Sequence, residues 1–157
     1  MLEKLDNKWN YECSKETSSI FVSEDFSFSF FNMYMDFRNE IESMYAPHIF
    51  KDCTEIISIK ENNQEIGLLL LKDKYIQSFY IKPEYRRKGY GKKAILDYIN
   101  QYGMPTDLTI LNTNYPALDF WNNIFILEPV DVNPIDTYYK IISLKEDIYN
   151  AKQRNKE

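Results

Sequence analysis

Glycine, histidine and cysteine are all scarce in this chain, and each scarcity closes off a class of explanation. Two cysteines, Cys13 and Cys53, sit in no metal-ligand spacing and no secretory context, so free thiols are expected rather than a disulfide scaffold, and no metal site is expected. His48 is the only histidine. In a connector beside Pro47 it is a candidate base, but it is read first as a structural or solvent-facing residue. No uncharged apolar run approaches the roughly 18 residues of a membrane span. Glu3 and Lys4 interrupt the N-terminus, so no signal peptide is read and a cytoplasmic setting with no membrane contact is expected. Internal repeats and low-complexity tracts are absent from the sequence.

What is present is apolar and aromatic. Hydrophobic residues make up 44% of the 157 residues and aromatics 16%, which excludes a disordered chain and allows one domain with a real core. The net charge of -5 argues against general nucleic-acid binding. Its distribution is uneven: residues 1–60 hold six basic and eleven acidic side chains, while residues 61–157 hold thirteen of each. Within the neutral part, residues 82–93 carry six cations against Glu84 alone, a local +5. A basic cluster in an acidic protein points to a site built for an anion.

That cluster surrounds two of the only four glycines. Residues 75–81 read as a strand that Pro83 stops. Arg86, Arg87, Lys88, Gly89, Tyr90, Gly91 and Lys92 then form a basic turn, followed by a helix over residues 92–102 with Ala94, Ile95, Tyr98, Ile99 and Tyr102 on one face. Glycines let the backbone turn sharply, and the first N–H groups of the following helix point outwards, which makes an anion cradle. The turn lacks the Gly-Lys-Ser or Gly-Lys-Thr ending of a nucleotide-binding loop.

Upstream, a first strand is expected at residues 9–13 or 20–22. One long or two short helices are expected over residues 26–45, although Phe26, Phe28 and Phe30 also alternate like a strand. A meander of strands follows at residues 54–60, 65–71 and 75–81, and the apolar run from 68 to 71 calls for cover on both faces of the sheet. Downstream, Gly103 and Pro105 punctuate, residues 107–111 read as a strand parallel to the one before the cradle, and Asn114 and Pro116 suit a helix start. Residues 126–130 and 137–144 are expected to pair as the last strands, with residues 145–157 a polar helix or tail.

Arg86, Gly89 and Gly91 match the signature of the GNAT superfamily of N-acetyltransferases, and residues 81–85 resemble that family's approach to the turn. Asn114, Pro116, Ala117, Phe120 and Trp121 resemble its second segment. The resemblance implies a single α/β (α+β) domain over residues 1–157, with a mixed, mostly antiparallel sheet, helices on both faces and a parallel strand pair at the cofactor cleft. It implies acetyl-CoA as co-substrate and direct transfer to a primary amine. The backbone of Phe79, Tyr80 and Ile81 would pair with the pantetheine arm, residues 86–92 would hold the pyrophosphate, and Asn114 and Trp121 would lie beside the cofactor. It also implies that the helices after the first strand help to wall the acceptor side, where Glu24, Asp25, Asp36, Glu40 and Glu42 would favour a cation.

Two departures stand out. Trp121 occupies the place where many family members have a tyrosine acid, and an indole N–H cannot do acid chemistry at neutral pH. Packing is therefore its first reading, and Tyr115, Tyr138 and Tyr139 are the substitute candidates. Gln77 and Ser78 stand where a carboxylate base is common, and neither is a base. Deprotonating a lysine side chain near pH 7.4 costs roughly 4 kcal/mol, an α-amine under about 1. The expected acceptor is therefore an α-amine. The alternative is a non-catalytic CoA-binding regulatory module or interaction scaffold. The expected partners are acetyl-CoA and an amine-bearing acceptor, with a homodimer as an option.

Overall fold

Four consecutive leucines, Leu68 to Leu71, can sit in a strand only if both faces of that strand are covered. A computed structural model describes residues 2–5 and 54–156, and there the leucines lie in a strand buried throughout residues 65–71. The described elements, in order, are β1 (Leu2–Leu5), β2 (Glu55–Glu61), β3 (Gln64–Lys72), β4 (Tyr75–Ile81), a 3-10 turn (Pro83–Tyr85), α1 (Tyr90–Tyr102), β5 (Asp107–Leu111), α2 (Tyr115–Ile124), β6 (Phe125–Val132), β7 (Asp136–Leu144) and α3 (Glu146–Arg154). This is the mixed α/β class expected. None of the described helices is long and apolar enough to cross a membrane.

The chain divides into two compact units, residues 1–104 and 105–157. In the first, β1 to β4 run as an antiparallel meander. Two-residue turns join β2 to β3 and β3 to β4. Asn62 and Asn63 (φ 50° and 62°) make the first, and Asp73 and Lys74 (φ 48° and 70°) make the second. Left-handed backbone at both central positions matches the right-handed twist of the strands they join. β4 carries a bulge: Ser78 lies opposite Leu70 and Ile76 opposite Leu71, so the register shifts by one residue at Gln77. Gly67 lies opposite Ile81, where an added Cβ would meet the Tyr80 carbonyl oxygen. Helix α1 buries Ala94, Ile95, Tyr98 and Ile99, the apolar face its spacing predicts.

In the second unit β7 pairs antiparallel with both β5 and β6. Its buried apolar residues include Leu108, Ile110, Trp121, Ile124, Phe125 and Ile148. Asn112 ties the end of β5 to the β6–β7 hairpin. Its backbone N–H donates to the Ile135 carbonyl (2.9 Å), its amide nitrogen donates to the Asn133 carbonyl (2.7 Å), and its amide oxygen accepts from Thr137 Oγ1 (2.7 Å).

Some expectations shift. A strand at Leu2–Leu5 was not anticipated, because two leucines flanking Glu3 and Lys4 carry almost no pattern without knowledge of the partner strand β2. Helix α1 starts at Tyr90 rather than Lys92, because Gly89 and not a polar side chain caps it. Residues 145–157 do form a helix over most of their length. The strand expected at 9–13 or 20–22, the helices over 26–45 with their acidic residues, His48, Cys13 and Cys53 lie outside the described residues.

Candidate functional site

The basic turn is assembled from backbone bonds that only this order of residues permits. As β4 ends, the Lys82 N–H donates to the Ile66 carbonyl (2.8 Å), and Pro83, which has no N–H to lose, opens the 3-10 turn. The Tyr85 N–H then donates to the Lys82 carbonyl (2.9 Å) and the Arg86 N–H to the Pro83 carbonyl (3.2 Å). Arg87 (φ 58°) and Gly89 (φ 85°) both adopt left-handed backbone, which reverses the chain into α1. Glycine reaches that region without the penalty other residues meet.

Gly89 caps α1 and has no side chain to offer it. The first bond of the helix is from the Lys93 N–H to the Gly89 carbonyl (3.0 Å), so the N–H groups of Tyr90, Gly91 and Lys92 have no acceptor within the helix. They sit at the positive end of the helix dipole. Arg87, Lys88, Lys92 and Lys93 are exposed around them. Gly91 itself has no positive φ and lies inside the first helical turn, so of the two motif glycines only Gly89 shapes the reversal.

Arg86 is tied back to the end of β4. Its Nε donates to the Ile81 carbonyl at 2.7 Å, and its guanidinium lies 5.4 Å from the centre of the Tyr80 ring. It therefore braces the turn against the end of β4. Tyr85 and Tyr90 add an edge-to-face contact at 5.7 Å that ties the 3-10 turn to the helix start. On β4, Phe79, Tyr80 and Ile81 lie opposite Leu69, Leu68 and Gly67 of β3. Ser78 Oγ donates to the Gln77 carbonyl (2.8 Å), so this hydroxyl is satisfied locally.

The remaining sequence candidates lie in the second unit. Asn114 caps α2, its Oδ1 accepting from the Ala117 N–H at 3.2 Å. Trp121 is 6% exposed, stacked on Phe125 at 5.9 Å and edge-on to Phe120 at 4.8 Å, which is how a packing residue sits. Tyr115 begins α2 and is 67% exposed. The Tyr138 hydroxyl donates to Asp107 Oδ2 at 2.6 Å, so its proton is engaged. Tyr139 is half-buried and lies opposite Leu108.

One cluster was not read from the sequence. Glu55, 8% exposed, receives the Tyr98 hydroxyl on both carboxylate oxygens (3.0 and 3.2 Å), with Lys74 Nζ at 3.4 Å and Lys4 Nζ at 3.6 Å. Burial, and then the Glu55 charge, push the Tyr98 hydroxyl well above the ordinary tyrosine range. Lys60 bonds Glu3 and lies 3.8 Å from Glu65. The Glu3 hydrogen bond raises the Lys60 ammonium above its usual value, with burial pulling the other way. Lys60 and Glu65 aside, the partners are 19 to 57 residues apart in sequence, beyond the reach of local pattern. The one local signal was the pair of tyrosines, Tyr98 and Tyr102, on a helix face otherwise made of Ala94, Ile95 and Ile99.

The model of the acetyltransferase (GNAT) family matches residues 19–124. A search of curated proteins finds no match. Among solved structures, apo-form YjaB from Escherichia coli aligns with a TM-score of 0.54 at 13% identity, covering 91% of this chain and 97% of that one. An N-acetyltransferase from Staphylococcus aureus Mu50 aligns at 0.53 and 13% identity, covering 90% and 100%. A point mutant of the spermidine N-acetyltransferase SpeG from Vibrio cholerae aligns at 0.50 and 17% identity, covering 90% and 94%. At these identities the likeness is one of fold.

Proposed function

This chain belongs to the acetyltransferase (GNAT) family, and from that premise we propose that it moves the acetyl group of acetyl-CoA onto a primary amine by direct attack, with an α-amine as the preferred acceptor. The observation that carries the reading is the start of α1. A left-handed glycine caps the helix without a side chain, three N–H groups there have no acceptor in the helix, and four exposed cations surround them. Such a surface matches a diphosphate in shape and charge. We assign residues 87–92 to the pyrophosphate of acetyl-CoA, and the backbone of Phe79, Tyr80 and Ile81 to its pantetheine arm. Arg86 serves that site as a brace.

In the proposed reaction the neutral amine adds to the thioester carbonyl, the C–S bond breaks, and the CoA thiolate leaves. The proton given up by the amine nitrogen is the one the thiolate ultimately needs. A thiolate with a pKa of about 8.5 leaves acceptably without a strong acid. On the acceptor side, Gln77 and Ser78 supply no base, and Ser78 is bonded to the Gln77 carbonyl. That favours an amine already partly neutral near pH 7.4. Of the tyrosine candidates, Tyr115 and Tyr139 remain available as donors, while Tyr138 is held by Asp107.

The lack of a carboxylate at Gln77 and Ser78 also favours a second reading, a CoA-binding regulatory module or scaffold on the same fold. Thiol release from acetyl-CoA in the presence of an amine panel separates the two. The enzyme reading expects release that depends on the amine and a higher kcat/KM for amino-acid or peptide α-amines than for a lysine side chain. Release with side-chain amines alone discards the α-amine preference, and binding without any release supports the regulatory module.

A further inference from the structure

The buried polar cluster at the opposite end of α1 from the basic turn has no part in the chemistry just described, yet it holds the same helix. Lys74 stands at the second central position of the β3–β4 turn with φ 70°, where glycine or asparagine is the favoured choice. The equivalent position of the β2–β3 turn is Asn63, which tolerates that backbone. A lysine held in a disfavoured conformation calls for a reason, and its side chain supplies one. Lys74 Nζ donates to the Tyr102 carbonyl, in the last turn of α1, at 2.8 Å and to the Tyr98 hydroxyl at 2.9 Å. The Tyr98 hydroxyl in turn donates to Glu55 on β2. From β1, Lys4 lies 5.4 Å from the centre of the Tyr102 ring as well as beside Glu55.

Strands β1 and β2 and the β3–β4 turn therefore grip the C-terminal end of α1. The turn itself is pinned, because the Asp73 N–H donates to Thr54 Oγ1 (2.8 Å) and the Thr54 N–H to the Leu71 carbonyl (2.9 Å). At the near end, Arg86 bonds the Ile81 carbonyl and Tyr85 packs on Tyr90. The helix is thus tied at both ends to the two ends of β4. A helix of 13 residues is a rod of about 20 Å. Pivoting it by about 10° at one end moves the other by about 3 Å, the full length of a hydrogen bond.

We propose that Lys74, Tyr98 and Glu55 are positioning residues for the diphosphate site: they clamp the far end of α1 and so aim its first N–H groups. This rests on the reading of residues 87–92 as that site. The prediction is specific, because a mis-aimed helix weakens a ligand carrying the diphosphate and spares one that lacks it.

The test compares CoA with pantetheine, which has no phosphate, by calorimetric titration and competition on the wild type, Lys74→Met, Lys74→Arg and Tyr98→Phe, with a urea midpoint recorded for each. The expected result is a CoA Kd raised about tenfold or more in Lys74→Met and Tyr98→Phe, a pantetheine Kd within about twofold of wild type, and recovery of CoA binding in Lys74→Arg. Tyr98→Phe retains the ring and keeps the test valid if Lys74→Met does not fold. Equal weakening of both ligands, or of neither, overturns the clamp. If the wild type itself binds CoA no more tightly than pantetheine, the diphosphate assignment has failed, an outcome distinct from a wild type that prefers CoA and variants that keep that preference.

Discussion

Gly67 is a glycine for a reason unrelated to any ligand. A Cβ at this position would lie 2.3 Å from the Tyr80 carbonyl oxygen and 2.8 Å from Ile81 Cδ1, and a backbone oxygen within a paired ladder cannot move aside cheaply. Gly67→Ala should therefore lose about 1–3 kcal/mol of stability, read as a lower urea midpoint. A midpoint equal to wild type would show that β3 and β4 separate more easily than their pairing implies. Gly89 presents the opposite case: nothing lies within 4 Å of its Cβ position, and only its φ of 85° constrains it. The sequence showed Gly89 through its motif and basic neighbours but could not show Gly67, whose constraint comes from a strand met later in the chain. Gly91, by contrast, sits in ordinary helix, with its N–H in the open first turn.

At the scale of elements, strands β4 and β5 fall where their composition puts them, because Pro83, Gly103 and Pro105 mark the punctuation. Asn114 is the helix cap its position suggested. What local pattern could not supply was pairing at a distance, as in β1 with β2, and the polar ties between elements. Those ties have a pH signature. The folded-state values of Tyr98 and Lys60 both lie above their unfolded ones. Each therefore contributes stability that is fully present below the unfolded value, about 10 for tyrosine and about 10.4 for lysine, and is lost as pH rises through the raised folded value. Urea midpoints should be flat between about pH 8 and 9.5 and fall above about pH 10. In Tyr98→Phe the alkaline fall should be shallower, since one of the two groups is gone. An unchanged slope in that variant would mean that Tyr98 ionises as readily in the folded protein as in the unfolded chain.

Over the whole molecule, charge separates what is scaffold from what is site. A chain of net charge -5 concentrates a local +5 in residues 82–93, and the structure turns that stretch into exposed cations around the open end of a helix. Family and fold were legible because the turn needs a fixed order of residue types, strand, proline, basic run, glycine and helix. The acceptor was not legible, because specificity depends on side chains brought together from distant parts of the chain. Everything proposed about acyl transfer requires that the helix end bind a diphosphate, and Gly89→Glu attacks that requirement directly by adding a negative side chain at the cap and forcing a left-handed backbone on a non-glycine residue. Calorimetric titration of acetyl-CoA into the wild type and Gly89→Glu should give saturable binding to the first and affinity at least about a hundredfold weaker for the second, the equivalent of losing two charge-assisted hydrogen bonds. Binding that is indifferent to Gly89→Glu, or a wild type that takes up no acetyl-CoA, would contradict it.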